Sequence, residues 1–305
     1  MGKHVCLERN LTDLAKPEFM NMQSQLRETL RRVVPGSVKF QMKRLVRGGG
    51  DTKCPLCGSS FRDYVAVGQP LGIVETRGVV GAGLREADAC PICNARDRTR
   101  LIHLYLTEYV FEPGRRIELL HLAPEYGLYR WLRTVEGLEY TPGDLDPGRY
   151  SDIPDVQKAD ITALPFGDAT FDIVLSSHIL EHIPDDIAAM RELFRVLKPG
   201  GRVLAPVPYA TDGQPTDEDL SVTDPGERTR RFGQNDHVRL YALDDYAGRL
   251  KSAGFDVELF DPFMARPEEA ARRRLNPKEV LPVGLRPADE AGGSADPAGA
   301  GSSGG

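Results

Sequence analysis

Two sets of residues in this chain have the types and spacing to do chemistry. The stretch SSHILEHIPDD, residues 176 to 186, sets His178, Glu181 and His182 in the spacing H-x-x-E-H. On a continuous helix that spacing stacks two imidazoles one turn apart around a metal, and the glutamate between them activates water, as in zinc hydrolases of the inverted type. The second set is Cys54, Cys57, Cys90 and Cys93, in CPLCG and CPICN. Each pair places two thiols across a tight turn, followed by Gly58 or Asn94, residues for which a positive φ is cheap. Four thiolates converging on one tetrahedral Zn²⁺ is the chemistry this design supports, as a structural metal site. A thioredoxin-type redox site needs only one such pair, and disulfides do not suit a reducing compartment. Cys6 has no partner in this scheme.

The elements that carry these residues decide between the chemistries. FDIVLSS, residues 171 to 177, reads as a buried strand and leads straight into H-x-x-E-H, and Pro184 disfavours helical geometry at Ile183. At most one helical turn is available, so the two imidazoles do not project from successive turns of a rigid rod. The histidines belong instead to the carboxyl end of a central strand. From Arg115 onward short apolar runs (RIELLHLA, LEYTPGDL, DVQKADI, RVLAPVPY, DVELFD) alternate with helical stretches (YGLYRWLRTV, DIAAMRELFRVL closed by KPGG, LDDYAGRLKSAGF), and EVLPVGL is a last candidate strand. This alternation predicts the α/β fold class, a Rossmann-like, mostly parallel, doubly wound sheet whose ligands bind beyond the carboxyl ends of the strands.

Ahead of the sheet the pattern predicts N-terminal helices and a small zinc ribbon. Leu11 to about Arg47 is helical, with Leu26, Leu30, Val33 and Val34 on one face, and Gly48 to Gly50 end it. The insert between the Cys pairs alternates like a hairpin in FRDYVAV and GIVETRGVV. A further helix in RDRTRLIHLYLTEYVF stops at Pro113-Gly114. The expected divisions are a basic helical arm over 1–50, the ribbon over 51–95, a catalytic domain over 96–285 with an insert at 209–236, and a disordered tail over 286–305.

The formal charge of −6 argues against a protein that coats nucleic acid, yet residues 1–50 hold ten basic against four acidic residues. That arm is either a solvated helical face or a dock for RNA, anionic glycan or a membrane surface. No apolar run approaches the roughly 18 residues of a membrane span, and no signal-peptide core is present at the N-terminus, so a cytoplasmic protein is expected.

DITALPFGDATFDIVLSSHILEHIPDDIAAMRELFRVLKPGGRVLAPVPY, residues 160 to 209, closely resembles the class I S-adenosylmethionine-dependent methyltransferases of the LPF, FD, LEH, LKPGG group. The resemblance extends over roughly 115 to 285, and the four-Cys ribbon, RTRLIHLYL, HLAPE and GQNDHVRLY are similar to a bacterial subset of that family. It implies a seven-stranded sheet with S-adenosylmethionine across the strand ends. By position, Asp144 in PGDLD matches the acid that accepts from both ribose hydroxyls, with Asp146 its near rival. Asp160 matches the acceptor for the adenine amino group, Ile161 packs on the ring, and Ser176, Ser177 and His178 line the floor beside the methyl donor. The family's glycine-rich turn is replaced by LHLAPEYG: Ala123 and Glu125 stand where the first two glycines would be, only Gly127 remains, and His121 replaces the usual acid. Ala123, Glu125 and Gly127 are therefore expected to meet the cofactor, with Glu125 facing its cationic end.

Methyl transfer is an in-line displacement on an activated sulfonium, so the protein supplies proximity and, for a hydroxyl acceptor, a base. His237, His178 and His182 are the candidates, with Asp236 placed to orient the His237 ring and Arg239 to hold an anionic group. The polar insert is long for a connection and reads as a lid over the substrate. The expected activity is O-methylation of a sugar, polysaccharide or secondary metabolite, a small-molecule or glycan substrate. The alternatives are an RNA methyltransferase that recognises nucleic acid through the ribbon, and a non-catalytic binding protein on a degenerate scaffold.

Overall fold

The computed structural model describes residues 36–288. The apolar stripe of Leu26, Leu30, Val33 and Val34, Cys6, and the tail beyond residue 288 lie outside the described residues. Helix α1 (Gly36–Arg47) is followed by the short strands β1 (Thr52–Lys53) and β2 (Ser60–Phe61), which flank the first Cys pair. Then come β3 (Val65–Val67), α2 (Gly72–Arg77) and β4 (Arg85–Ala89), the second Cys pair, and α3 (Asp97–Tyr109). The remainder alternates: β5 (Ile117–Leu122), α4 (Tyr126–Leu132), β6 (Leu138–Asp144), β7 (Gln157–Lys158), β8 (Phe171–Ser176), α5 (Asp186–Val196) and β9 (Leu197–Leu204). After it come β10 (Tyr209–Ala210), β11 (Asp217–Glu218), α6 (Pro225–Phe232), β12 (Arg239–Ala242), α7 (Leu243–Ser252), β13 (Asp256–Phe260), the short helices α8 (Pro262–Ala265) and α9 (Pro267–Arg272), and β14 (Leu281–Leu285).

The central sheet has seven strands in the order β13-β14-β9-β8-β5-β6-β7. Strands β5 to β9 run parallel, and β14 alone is antiparallel to its neighbours. The α/β, mostly parallel, doubly wound class expected from the alternation is therefore the class observed. Strands β5 and β8 are buried on both faces, which is why they read as nearly continuous apolar runs. Their side chains divide between two hydrophobic clusters: Leu119, Ile173 and Leu175 join one, Leu120, Leu122 and Val174 the other. The chain runs outward from β5 to β6 and β7, then returns to lay β8 on the opposite side of β5. That reversal makes the gap between the carboxyl ends of β5 and β8 the crevice where doubly wound sheets hold ligands.

The Cys segments are not set apart from this sheet. Cys54, Leu56, Phe61, Ile92 and Cys93 belong to the same hydrophobic cluster as Leu101 and Leu104 of α3 and Leu119 of β5. Arg100, wholly buried, fastens the joint by donating to the carbonyls of Asp88, Ala95, Arg273 and Arg274.

Two local expectations are corrected, and one, the last candidate strand, is borne out. GIVETR, read as part of a hairpin, is helix α2, none of whose residues is buried; with no buried face, its short alternation had nothing to hold it in a strand. EVLPVGL contributes the inner strand β14, hydrogen-bonded on both sides despite its proline and glycine. Arg286, placed at the head of the tail, is pinned by its guanidinium to the carbonyls of Phe194, Arg195 and Leu197. Among the described residues no helix is long and apolar enough to cross a membrane.

Candidate active site

The strand ends at the crevice are bent sharply. Ala123, just past β5, takes a φ of +47°, and His178, two residues past β8, a φ of +55°. Left-handed backbone costs a non-glycine residue roughly 1–2 kcal/mol and is concentrated at functional sites. Ala123 thus adopts a conformation that a glycine would take at low cost.

Around these turns lies a row of buried polar atoms that find no hydrogen-bond partner: His121 Nε2, Ser176 Oγ, Ser177 Oγ, His178 Nε2 and both carboxylate oxygens of Glu181. His121 is fully buried, its Nδ1 lies 2.9 Å from the Tyr140 hydroxyl, and burial lowers its pKa to about 4, so the imidazole is uncharged. Leaving a buried polar group unpaired costs about 1–3 kcal/mol. Grouped at these turns, they are polar atoms free to meet a polar ligand.

The expected cofactor residues fall into distinct environments. Asp144 is buried at the end of β6, with Oδ1 accepting from the Asp146 amide at 2.8 Å and Oδ2 from the Tyr150 hydroxyl at 2.6 Å. Its rival Asp146 is exposed and caps the turn Pro147–Arg149 through the Gly148 amide. Asp160 is exposed, and bonds from the Thr162 hydroxyl and amide hold its carboxyl below the usual range. Ile161 is buried in the cluster that contains Leu122 and Leu164. Glu125 is engaged at both oxygens, by Arg98 Nη2 at 2.9 Å and the Thr99 hydroxyl at 3.2 Å. Gly127 is buried against the second Cys turn: an added Cβ would stand 3.1 Å from the Cys93 carbonyl oxygen. Its lack of a side chain serves that contact.

Beside the crevice opens a cavity of about 840 Å³. His178, Glu181, His182 and His237 line one side, Arg96 and Arg98 from the start of α3 another, and the Gly81–Gly83 and Gly233–Asn235 segments its mouth. The H-x-x-E-H residues arrive there because Leu180–His182 form only one 3₁₀ turn before Pro184. Gly81, at φ +86°, lets its backbone lie against the His178 ring; a Cβ there would be 3.3 Å from Cε1. Burial and the guanidinium charges of Arg98 and Arg85 hold His178 well below the usual imidazole range, and its Nδ1 lies 3.3 Å from Glu181. Burial pushes the Glu181 carboxyl up to about 8. His237 donates from Nδ1 to the Phe232 carbonyl, 3.0 Å away, and burial together with His182 lowers its pKa to about 4.

Two expected pairings are replaced. Asp236 lies 3.3 Å from His182 Nδ1 and so orients His182, while the backbone of α6 orients His237. Arg239 is fully buried, donating to the carbonyls of Leu180, Ile183 and Pro184 and to Glu218, so it holds the 3₁₀ turn in place and does not face the cavity. Sequence reasoning missed Arg96, Arg98 and the Gly68–Gly83 wall; the available signals were the charge cluster RDRTR at a helix start and the glycine run GVVGAG. The insert expected as a lid contributes Thr229, Gly233, Gln234 and Asn235, built on α6 and the small sheet β10-β12-β11.

The four thiols meet as spaced. Cys54 and Cys93 sulfurs are 3.7 Å apart, Cys57 and Cys90 sulfurs 3.9 Å. A tetrahedral ion with bonds of about 2.3 Å sets its sulfurs roughly 3.8 Å apart, so the residues fit Zn²⁺. The two turns are copies of each other: Gly58 and Asn94 take φ of +65° and +63°, each amide donating back to the first cysteine's carbonyl at 2.9 Å.

Comparison with known proteins bears on the same strands. Residues 120–205 match a methyltransferase domain. The matched segment runs from β5 to the loop after β9 and includes Ala123, Asp144, Asp160, His178 and Glu181. The 27-O-demethylrifamycin SV methyltransferase of Amycolatopsis mediterranei (strain S699) is 34% identical over 106 residues, 33% of this chain and 35% of that protein. The demethylmenaquinone methyltransferase of Mycobacterium sp. (strain KMS) is 41% identical over 66 residues, 22% of this chain and 28% of its own length. The similarity spans about a third of these curated relatives. A crystal structure of an S-adenosylmethionine-dependent methyltransferase from Mesorhizobium loti superposes with a TM-score of 0.41 at 17% identity, covering 62% of this chain and 98% of that one.

Proposed function

We propose that this chain is an S-adenosylmethionine-dependent methyltransferase that methylates an oxygen of a small polar acceptor, a sugar, glycan or secondary metabolite. The observation that carries the reading is the row of unpartnered polar atoms at the β5/β8 reversal, two of whose residues, His178 and Glu181, line a cavity walled by three histidines. The methyltransferase-domain match over the same strands supports it. The acceptors in the relatives' names, 27-O-demethylrifamycin SV and demethylmenaquinone, are small molecules.

Bound cofactor would supply a methyl group already activated on a cationic sulfur. Asp144 accepts from the ribose, keeping lone pairs for it beyond the two bonds made inside its own loop. Asp160 and Ile161 flank the adenine end, and Ala123 and Ser177 shape the crevice. Glu125, ion-paired to Arg98, positions that guanidinium for the cofactor's carboxylate. His178 is the base: burial keeps it neutral, Nε2 has no protein partner, and Glu181, 3.3 Å from Nδ1, orients the ring that takes the acceptor's proton. A structural Zn²⁺ on Cys54, Cys57, Cys90 and Cys93 stiffens the wall that covers the cavity.

Incubation of the protein with a desalted extract of its source and labelled S-adenosylmethionine tests this. Label in the glycan or small-molecule fraction, lost in His178→Gln, is the expected result. Label in nuclease-sensitive RNA would overturn the acceptor class, and label unaffected by His178→Gln would remove His178 as base.

A further inference from the structure

The H-x-x-E-H string does not form a helical zinc site, but the fold rebuilds part of it with a residue from elsewhere in the chain. Glu181 and His182, on the 3₁₀ turn, meet His237, which follows α6, and one ligand atom from each lies within 4.8 Å of the others. His237 Nδ1 is held by the Phe232 carbonyl, which leaves Nε2 to face Glu181, 4.0 Å from Oε1. His182 Nδ1 lies 3.3 Å from Asp236, which leaves Nε2 free of that contact, and the residue lines the cavity. An imidazole fixed through one nitrogen by a carbonyl or carboxylate, offering the other, is the arrangement that metal-ligating histidines adopt.

Glu181 supplies an independent observation. Its side chain is 1% exposed, and neither carboxylate oxygen accepts a hydrogen bond from another residue. Buried carboxylates are retained when paired with a cation or a metal. Among the described residues no guanidinium or ammonium comes within ion-pair distance of Glu181: Arg239 is engaged by three carbonyls and Glu218, Arg98 by Glu125.

We propose that Glu181, His182 and His237 bind a divalent first-row transition cation in the cavity wall. Two imidazoles and one carboxylate favour such an ion over Mg²⁺ or Ca²⁺ and leave positions open toward the cavity. Ligand atoms on bonds of about 2.0–2.2 Å stand roughly 3.0–3.5 Å apart, so closing the triad requires side-chain shifts of about 1 Å. Resting on the methyltransferase reading, the open positions select an acceptor with two adjacent oxygens, such as a vicinal diol or a catechol. The cation lowers the pKa of the bound hydroxyl, and His178, which lines the same cavity, receives its proton.

The test uses the full chain holding one equivalent of Zn²⁺ on its four thiols, titrated with Co²⁺. The expected result is one Co²⁺ per chain with visible bands of nitrogen and oxygen ligation and no thiolate charge-transfer band, and bands that shift when catechol is added. Glu181→Gln and His182→Gln should each weaken Co²⁺ binding by about tenfold or more. If the buried Glu181→Gln variant fails to fold by circular dichroism, His182→Gln, on a partly exposed side chain, decides. No such spectrum at millimolar Co²⁺, or an affinity that His182→Gln leaves unmoved, would overturn the site; bands indifferent to catechol would overturn its acceptor role. S-adenosylmethionine binding by the cobalt-free parent separates the two readings: cobalt bound without it sustains the cation site and removes the methyltransferase, and the reverse removes the site alone.

Discussion

Arg100→Met tests whether the Cys segments and the sheet unfold as one body. The Arg100 side chain is wholly buried, and its guanidinium donates to Asp88 O at 2.6 Å, Arg273 O at 2.7 Å, Ala95 O at 3.0 Å and Arg274 O at 3.2 Å while lying 4.0 Å from the Tyr64 ring centre. Methionine fills much of the volume but donates nothing, so three buried carbonyls and a half-buried one lose a charged partner. At about 1 kcal/mol for each carbonyl, partly offset because no charge is then buried, the loss is about 3–4 kcal/mol. That is a large part of a total stability of about 5–15 kcal/mol. Urea unfolding can be followed at Trp131, the single tryptophan, whose ring lies 4.2 Å from that of His103 in α3, and in parallel by zinc release to a dye. The two probes should report one coincident transition, shifted together in Arg100→Met, with Arg100→Lys recovering only part of the loss. A shift below about 1 kcal/mol, or zinc leaving well before the tryptophan signal changes, would show that the Cys turns are a separable unit.

Three further outcomes follow from the same geometry. Stripping metal with a strong chelator should lower the melting temperature of the whole chain in a single transition, because Cys54 and Ile92 share a core with α3 and β5; loss confined to a minor early transition would contradict this. His121, its pKa depressed to about 4 from 6.5, is neutral when folded, so its contribution is complete above pH 6.5 and disappears as pH falls through 4. The slope is about 1.4 kcal/mol per pH unit, and His121→Phe should flatten the acid limb by up to about 3 kcal/mol in denaturant titrations at stepped pH. Gly68→Ala should cost about 2–3 kcal/mol or more, since φ is +93° and a Cβ would stand 2.0 Å from the Gly83 carbonyl oxygen; Gly58→Ala, at φ +65° with open space around it, should cost only about 1–2 kcal/mol.

The parts of this structure that local pattern could reveal were those set by period and turn chemistry. Strands buried on both faces announce themselves as apolar runs, and the Cys turns require Gly58 and Asn94, so β5, β8 and the thiol cluster were readable. Pro184 alone ruled out the rod that a helical zinc site needs. What escaped depends on chain returning from a distance. Glycines at 68, 81 and 83 wall the cavity only because the insert between the Cys pairs folds back over His178, and nothing in GVVGAGL states where it will land. The same holds for Arg98, which reads as a helix-start charge until Glu125 is found 2.9 Å away. Asp236 and Arg239 were assigned by adjacency in sequence; the 3₁₀ turn turned His182 toward the first and drew the second into the interior. The short helix α2 is the same lesson at the level of elements: few residues, weak period, and a state decided by neighbours.

The measurement that bears most directly on the central claim is calorimetric titration of the purified full chain with S-adenosylmethionine. The account predicts saturable binding of one molecule per chain, with Asp144→Asn weakening it by roughly tenfold to a hundredfold through loss of a charge-assisted ribose contact. No binding at millimolar ligand by a folded, zinc-loaded protein would contradict it, and would leave a methyltransferase-like scaffold whose cavity serves another ligand.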